Sequence, residues 1–177
     1  MESSEEETIS KEEYELIDYS LLVEVKKVLD ILDSILIQPT IRYNLSKSDD
    51  LVLENGLIND IVNYYLTDLV MALENSKAYL LNDYFMIKEF LDPLKVKFIA
   101  NDLDVRLKYF KKRIIYDLEE FEMILKYSSD MYDKCYNDLI GMDPNLFLKV
   151  NLLQQNQITD FLNLKNSIIT KVNSIYI

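Results

Sequence analysis

Over residues 94–127 the apolar side chains Val96, Ile99, Leu103, Leu107, Phe110, Ile114, Leu118, Phe121 and Leu125 recur at spacings of three and four, with no Gly or Pro between them. That period predicts one long amphipathic helix. Tyr109, Ile115 and Tyr116 fall outside the narrow stripe, which predicts a helix covered on more than one side. Upstream, Ser10 and Glu13 read as a capping box, each side chain satisfying a backbone donor at the other. A helix is predicted to run from there over residues 11–37, with Tyr14, Leu21, Val25, Val28, Leu32 and Ile35 forming a seven-residue seam. Pro39 stops it by removing a donor.

A second helix is predicted from the broad apolar face of Leu57, Ile58, Ile61, Val62, Tyr65, Leu66, Leu69, Val70 and Leu73. Ser76 is read as the start of a third, which carries Tyr79, Leu80, Tyr84, Ile87 and Leu91 up to Pro93. After the long helix, Ser128 or Ser129 caps a fifth that Gly141 ends. Beyond Pro144 the pattern weakens: residues 147–153 are apolar and residues 154–157 form a polar hinge. The closing stretch IITKVNSIYI is β-branched and aromatic with partial alternation, and both a strand and a helix stay open for it.

Composition narrows the class. The chain has 177 residues, 49% of them hydrophobic, with only 2 Gly and 3 Pro. So few turn formers argue against a sheet-rich fold. The expectation is a mostly α protein, a helical bundle around a long central amphipathic helix, with a possible short β segment at the C-terminus. Residues 1–10 are expected to be a disordered acidic tail, residues 11–146 the bundle, and residues 147–177 a small C-terminal segment. The opening MESSEEETISKEE is acidic where a secretory leader is basic and then apolar, and no apolar run reaches the ~20 residues that span a bilayer. A nuclear or cytoplasmic location is expected, without secretion or a membrane span. The single Cys135 fits a reducing compartment.

Net charge is −12 and there is no histidine. A free nucleic-acid-binding domain carries the opposite sign, so no direct sequence-specific contact with DNA or RNA is expected. Without histidine the commonest general base and every Ser-His or Cys-His nucleophile are missing, and closed zinc sites lack their ligands. Acidic clusters at Asp102 with Asp104, and at Glu119, Glu120 and Glu122, read first as solvated helix faces. No enzyme activity, metal or other cofactor is expected. The basic run Lys108, Lys111, Lys112 and Arg113, and the 13 tyrosines, suit protein interfaces.

The segment FKKRIIYDLEEF resembles the central-helix motif of the GINS replication complex, in its Sld-five-type subunit. Phe110 stands at the family's Tyr, Lys112 at its first basic residue and Ile115 at an apolar position. Leu118, Glu119 and Phe121 match the closing Ile-Glu-x-Phe, while Ile114 occupies the place of the second basic residue, with Arg113 adjacent. Pro39-Thr40-Ile41 is similar to the family's Pro-Glu-Leu-Leu after its first helix, and Met142-Asp143-Pro144-Asn145-Leu146 to its Met-Pro-x-x-Leu. The family's Trp-x-Asn-Glu-Arg group is missing. The resemblance implies a non-catalytic scaffold subunit that assembles with other small helical subunits and activates the replicative MCM helicase. It also implies Phe110, Ile114, Leu118 and Phe121 as core or interface anchors, and Lys111, Lys112 and Arg113 as partner contacts. The alternative reading is a viral Bcl-like bundle that binds an amphipathic helix in a groove and is built round a buried central helix.

Overall fold

A computed structural model describes residues 17–36, 68–142 and 155–175. Among these every regular element is helical. Asp18 opens helix α1 (Tyr19–Leu36): its carboxylate accepts the Ser20 N–H and its carbonyl the Leu21 N–H, both at 3.0 Å. These bonds satisfy donors that the first turn leaves free and start the described helix at Tyr19, while the predicted start at Lys11 lies outside the described residues. The Ser10–Glu13 box, Pro39, residues 57–66 and residues 143–154 lie outside the described residues.

Helix α2 (Leu69–Leu91) is continuous through Ser76, where a new helix was expected. The cap reading fails because Ser76 is buried and belongs to an inward seam: Leu69, Leu73, Ser76, Leu80, Asp83, Ile87 and Phe90 are all buried at alternating spacings of four and three. Asp92 then leaves helical geometry, as a residue before proline must. Its carboxylate accepts the Leu94 N–H at 3.0 Å, and Pro93 takes the first position of α3 (Pro93–Ile99), where a missing N–H costs nothing.

The long helix differs from its prediction at both ends. A 3₁₀ turn at Ala100–Asp102 separates α3 from α4 (Leu103–Met142), so the helix begins later than residue 94. It then passes through Ser128, whose hydroxyl donates to the Ile124 carbonyl at 2.8 Å instead of capping a new helix. The expected fifth helix is thus the second half of α4, which ends just after Gly141. Its 40 residues span about 60 Å.

The last described helix, α5 (Gln155–Asn173), settles the closing stretch as helix through Asn173 and takes in Gln155–Gln157, which were expected to form a hinge. The possible β segment is not found among the described residues. Phe161, Ile168, Val172 and Ile175 are buried in the same core as the other helices, and packing of that face outweighs β-branched propensity.

The four long helices among the described residues form a ring in which α1 and α4 each pack against both α2 and α5. Pairings fix the directions. Phe90 meets Phe110 while Tyr79 meets Arg113, so α2 and α4 are antiparallel. Ser34 bonds Gln157 while Glu24 bonds Lys171, so α1 and α5 are too. Phe121 stacks edge-on against Phe161 with centroids 4.5 Å apart, tying α4 to α5. Among the described residues this is four-helix packing whose seams repeat every seven residues. Each helix keeps an exposed face. Tyr109 and Tyr116 are more than half exposed, so α4 is not covered on its outer side.

Replacing Phe121 with Ala leaves a cavity at the α4–α5 contact and should cost roughly 3–5 kcal/mol. The exposed Tyr109→Ala should stay within about 0.5 kcal/mol. Urea denaturation of the two variants checks both values.

Candidate functional site

The α2–α4 interface differs chemically from the other three. Asp33 pairs with Lys77 at 2.6 Å between α1 and α2, Glu24 with Lys171 at 2.7 Å between α1 and α5, and Glu122 with Lys165 between α4 and α5. Between α2 and α4 the charged-type groups that meet in the seams are two acids. The seam of α2 places Asp83 inward with no exposed surface, and the seam of α4 (Phe110, Ile114, Asp117, Phe121) places Asp117 inward at 3% exposure. Their carboxyls meet.

With no proton between them, Asp83 has no hydrogen-bond partner for either oxygen, and Asp117 none for Oδ2. A proton on Asp83 supplies the missing donor and removes the repulsion. Burial first, and then the Asp117 carboxyl, push Asp83 up to about 9, against a smaller opposing pull from Arg113. Asp83 is therefore a neutral acid at neutral pH, donating to Asp117.

Arg113 closes the pair toward solvent. Its Nε lies 3.5 Å from Asp117 Oδ2, and its guanidinium sits 4.7 Å from the Tyr79 ring centre and 5.5 Å from that of Tyr116. Those groups, with Ala72, Asn75, Ser76, Glu120 and Ile124, line an open cleft of about 460 Å³ between α2 and α4. The acids are too deeply placed for a substrate to reach both. What the cleft offers a partner is aromatic faces and the Glu120 carboxylate.

The expected interface residues divide. Phe110, Ile114, Leu118 and Phe121 have no exposed surface and lie in this chain's own core. Phe110 stacks edge-on with Phe90 at 5.6 Å. Lys112 is exposed and Lys111 half-buried, and of the three basic residues Arg113 is the one at the cleft. The ion pairs that spacing offers at Asp102–Arg106 and Asp104–Lys108 are not formed, whereas Arg113–Asp117 is.

Sequence reasoning missed Asp83, Tyr79 and Glu120 as parts of one site. The available signal was the unbroken alternation of four and three through Ser76 and Asp83, which marks both as inward positions. A second stripe was also missed. Val105, Tyr109, Tyr116, Met123 and Tyr127 lie on the side of α4 away from the core, and each is more than half exposed.

The acid pair has a pH signature. Asp83 is raised above its unfolded value near 3.8, so the folded state holds an extra proton between about pH 4 and 9. Stability should therefore fall as pH rises through that window. The chain has no histidine to confuse the upper half of the range. Asp83→Asn keeps a donor without a titration and should flatten the slope between pH 6 and 9 in thermal melts.

Among the described residues no group of three or more His, Cys, Asp or Glu side chains is placed to hold a metal ion, and no helix is long and apolar enough to cross a membrane. No protein-family model, no curated protein and no solved structure matches the chain.

Proposed function

We propose that this chain is a non-catalytic, protein-binding subunit that presents the outer face of α4 to its partner. The observation that carries the reading is the exposed stripe Val105, Tyr109, Tyr116, Met123 and Tyr127 on a helix whose opposite face is fully used by the core. Single exposed apolar side chains are ordinary, but five of them recurring on one face of a single helix point to a contact surface. Tyrosine and methionine are also the side chains that interfaces favour.

The specific form of this reading is a scaffold subunit of a GINS-type, helicase-activating replication complex, acting in the nucleus with other small helical subunits and the MCM helicase. Support comes from the FKKRIIYDLEEF motif lying on the longest described helix. The motif's apolar residues hold the bundle, leaving the outer stripe as the surface for sister subunits. A Bcl-like groove binder is the weaker reading, because it is built round an enclosed helix and every long helix among the described residues keeps an exposed face.

Affinity purification of the tagged full chain from its native cells, with mass spectrometry of what co-purifies, tests the proposal. Stoichiometric recovery of three small helical proteins with MCM subunits is the result expected of the specific form; a different stoichiometric partner would keep the scaffold and discard the replication role. The combined Val105→Ser, Tyr109→Ser and Met123→Ser variant should lose the partner while its melting temperature stays near that of the parent chain. Retention of the partner by that variant would overturn the assignment of the surface.

A further inference from the structure

The α2–α4 cleft already holds one cation, and the way it does so indicates what else it can hold. Arg113 lies against Tyr79 and Tyr116 with Nε beside Asp117. Aromatic faces and a carboxylate are what a guanidinium or ammonium group needs when it leaves water. Asp117 lines the cleft from a nearly buried position, where Asp83 and Arg113 already engage it, and adds its negative charge to the wall. Glu120 stands on the same wall and forms no ion pair with a described residue. Two carboxylates against one guanidinium leave the cleft acidic, within a chain of net charge −12.

Tyr116 belongs both to the cleft and to the outer stripe. On that stripe Tyr109, Tyr116 and Met123 recur every seven residues, the spacing at which one helix lies along another. We infer that the cleft docks a Lys or Arg side chain carried by a helical segment of a partner protein, whose apolar residues lie along Tyr109, Tyr116 and Met123. The inference rests on the protein-binding reading of the stripe and adds the chemistry of the partner: a basic amphipathic helix. Apolar contact along the stripe supplies area, and the cleft supplies register and sign of charge.

The test uses the full chain and a synthetic amphipathic helix of Leu, Ala and Lys as probe, with a second peptide in which Glu replaces every Lys. Fluorescence anisotropy reads binding for the parent chain, Glu120→Lys, Glu120→Gln, and Asp160→Lys, which makes the same charge change as Glu120→Lys at an exposed position on α5. The Lys peptide should bind in preference to the Glu peptide. Glu120→Lys should weaken it about tenfold or more and Glu120→Gln by a smaller factor, whereas Asp160→Lys should change it by less than about twofold. Equal losses from the two lysine variants would assign the binding to overall charge and overturn the inference. So would indifference to both Glu120 variants, or preference for the Glu peptide. The stripe variant separates the two readings. Binding lost on Val105→Ser, Tyr109→Ser, Met123→Ser but untouched at Glu120 keeps the surface and discards the cleft; binding untouched by the stripe variant discards the surface itself.

Discussion

The contact between two carboxyls, Asp83 and Asp117, is the constraint around which the α2–α4 half of the bundle is arranged. Both residues sit at inward positions of seven-residue seams, so neither can turn to water without rotating its whole helix away from Leu80, Ile87, Ile114 and Phe121. One proton makes the arrangement possible, since two buried anions in contact repel strongly and a neutral acid beside an acceptor forms a bond. Arg113 then shields the outer edge, held in place by Tyr79 and Tyr116. The cleft, its aromatic walls and its acidic balance all follow from the need to close over this pair.

The same helix, α4, serves two surfaces with two registers. Its inner residues fill the core against α2 and α5, anchored by the edge-on contacts of Phe110 with Phe90 and Phe121 with Phe161. Its outer residues repeat with the same seven-residue period but face solvent. A helix that needed only to fold would carry charged residues on that side. The charges are present, yet they alternate with tyrosine, methionine and valine along the row, which is why the outer face reads as a contact surface and the inner face as structure.

Much of the fold was legible because burial follows period. The inner stripe of α4 and the seam of α1 from Leu21 to Ile35 are both read directly from spacing, and both are buried. Breaks were less legible, since they depend on which of two uses a polar residue finds. Ser76 and Ser128 look like caps in sequence, but one faces the seam and the other bonds its own helix at Ile124. The break at Ala100–Asp102 has no Gly or Pro to mark it. In IITKVN the β-branched residues suggested a strand, and the tertiary burial of Ile168 and Val172 decided for helix. The candidate site was least legible of all, because the contact of Asp83 with Asp117 joins positions that no local pattern links.

A buried acid pair adds little net stability compared with two apolar side chains of similar size. Its value here lies in register. Phe90 opposite Phe110 and Asp83 opposite Asp117 keep step, seven residues of α2 for seven of α4. Sliding one helix by a heptad would leave the apolar positions matched almost as well, because Leu, Ile and Phe fill them on both helices. It would also set Asp83 against Phe110 or Ile124, with no acceptor for its proton. Each unsatisfied buried group costs about 1–3 kcal/mol, which is enough to make one alignment of α2 and α4 dominate. The position of Tyr79 over Arg113, and with it the shape of the cleft, is inherited from that choice.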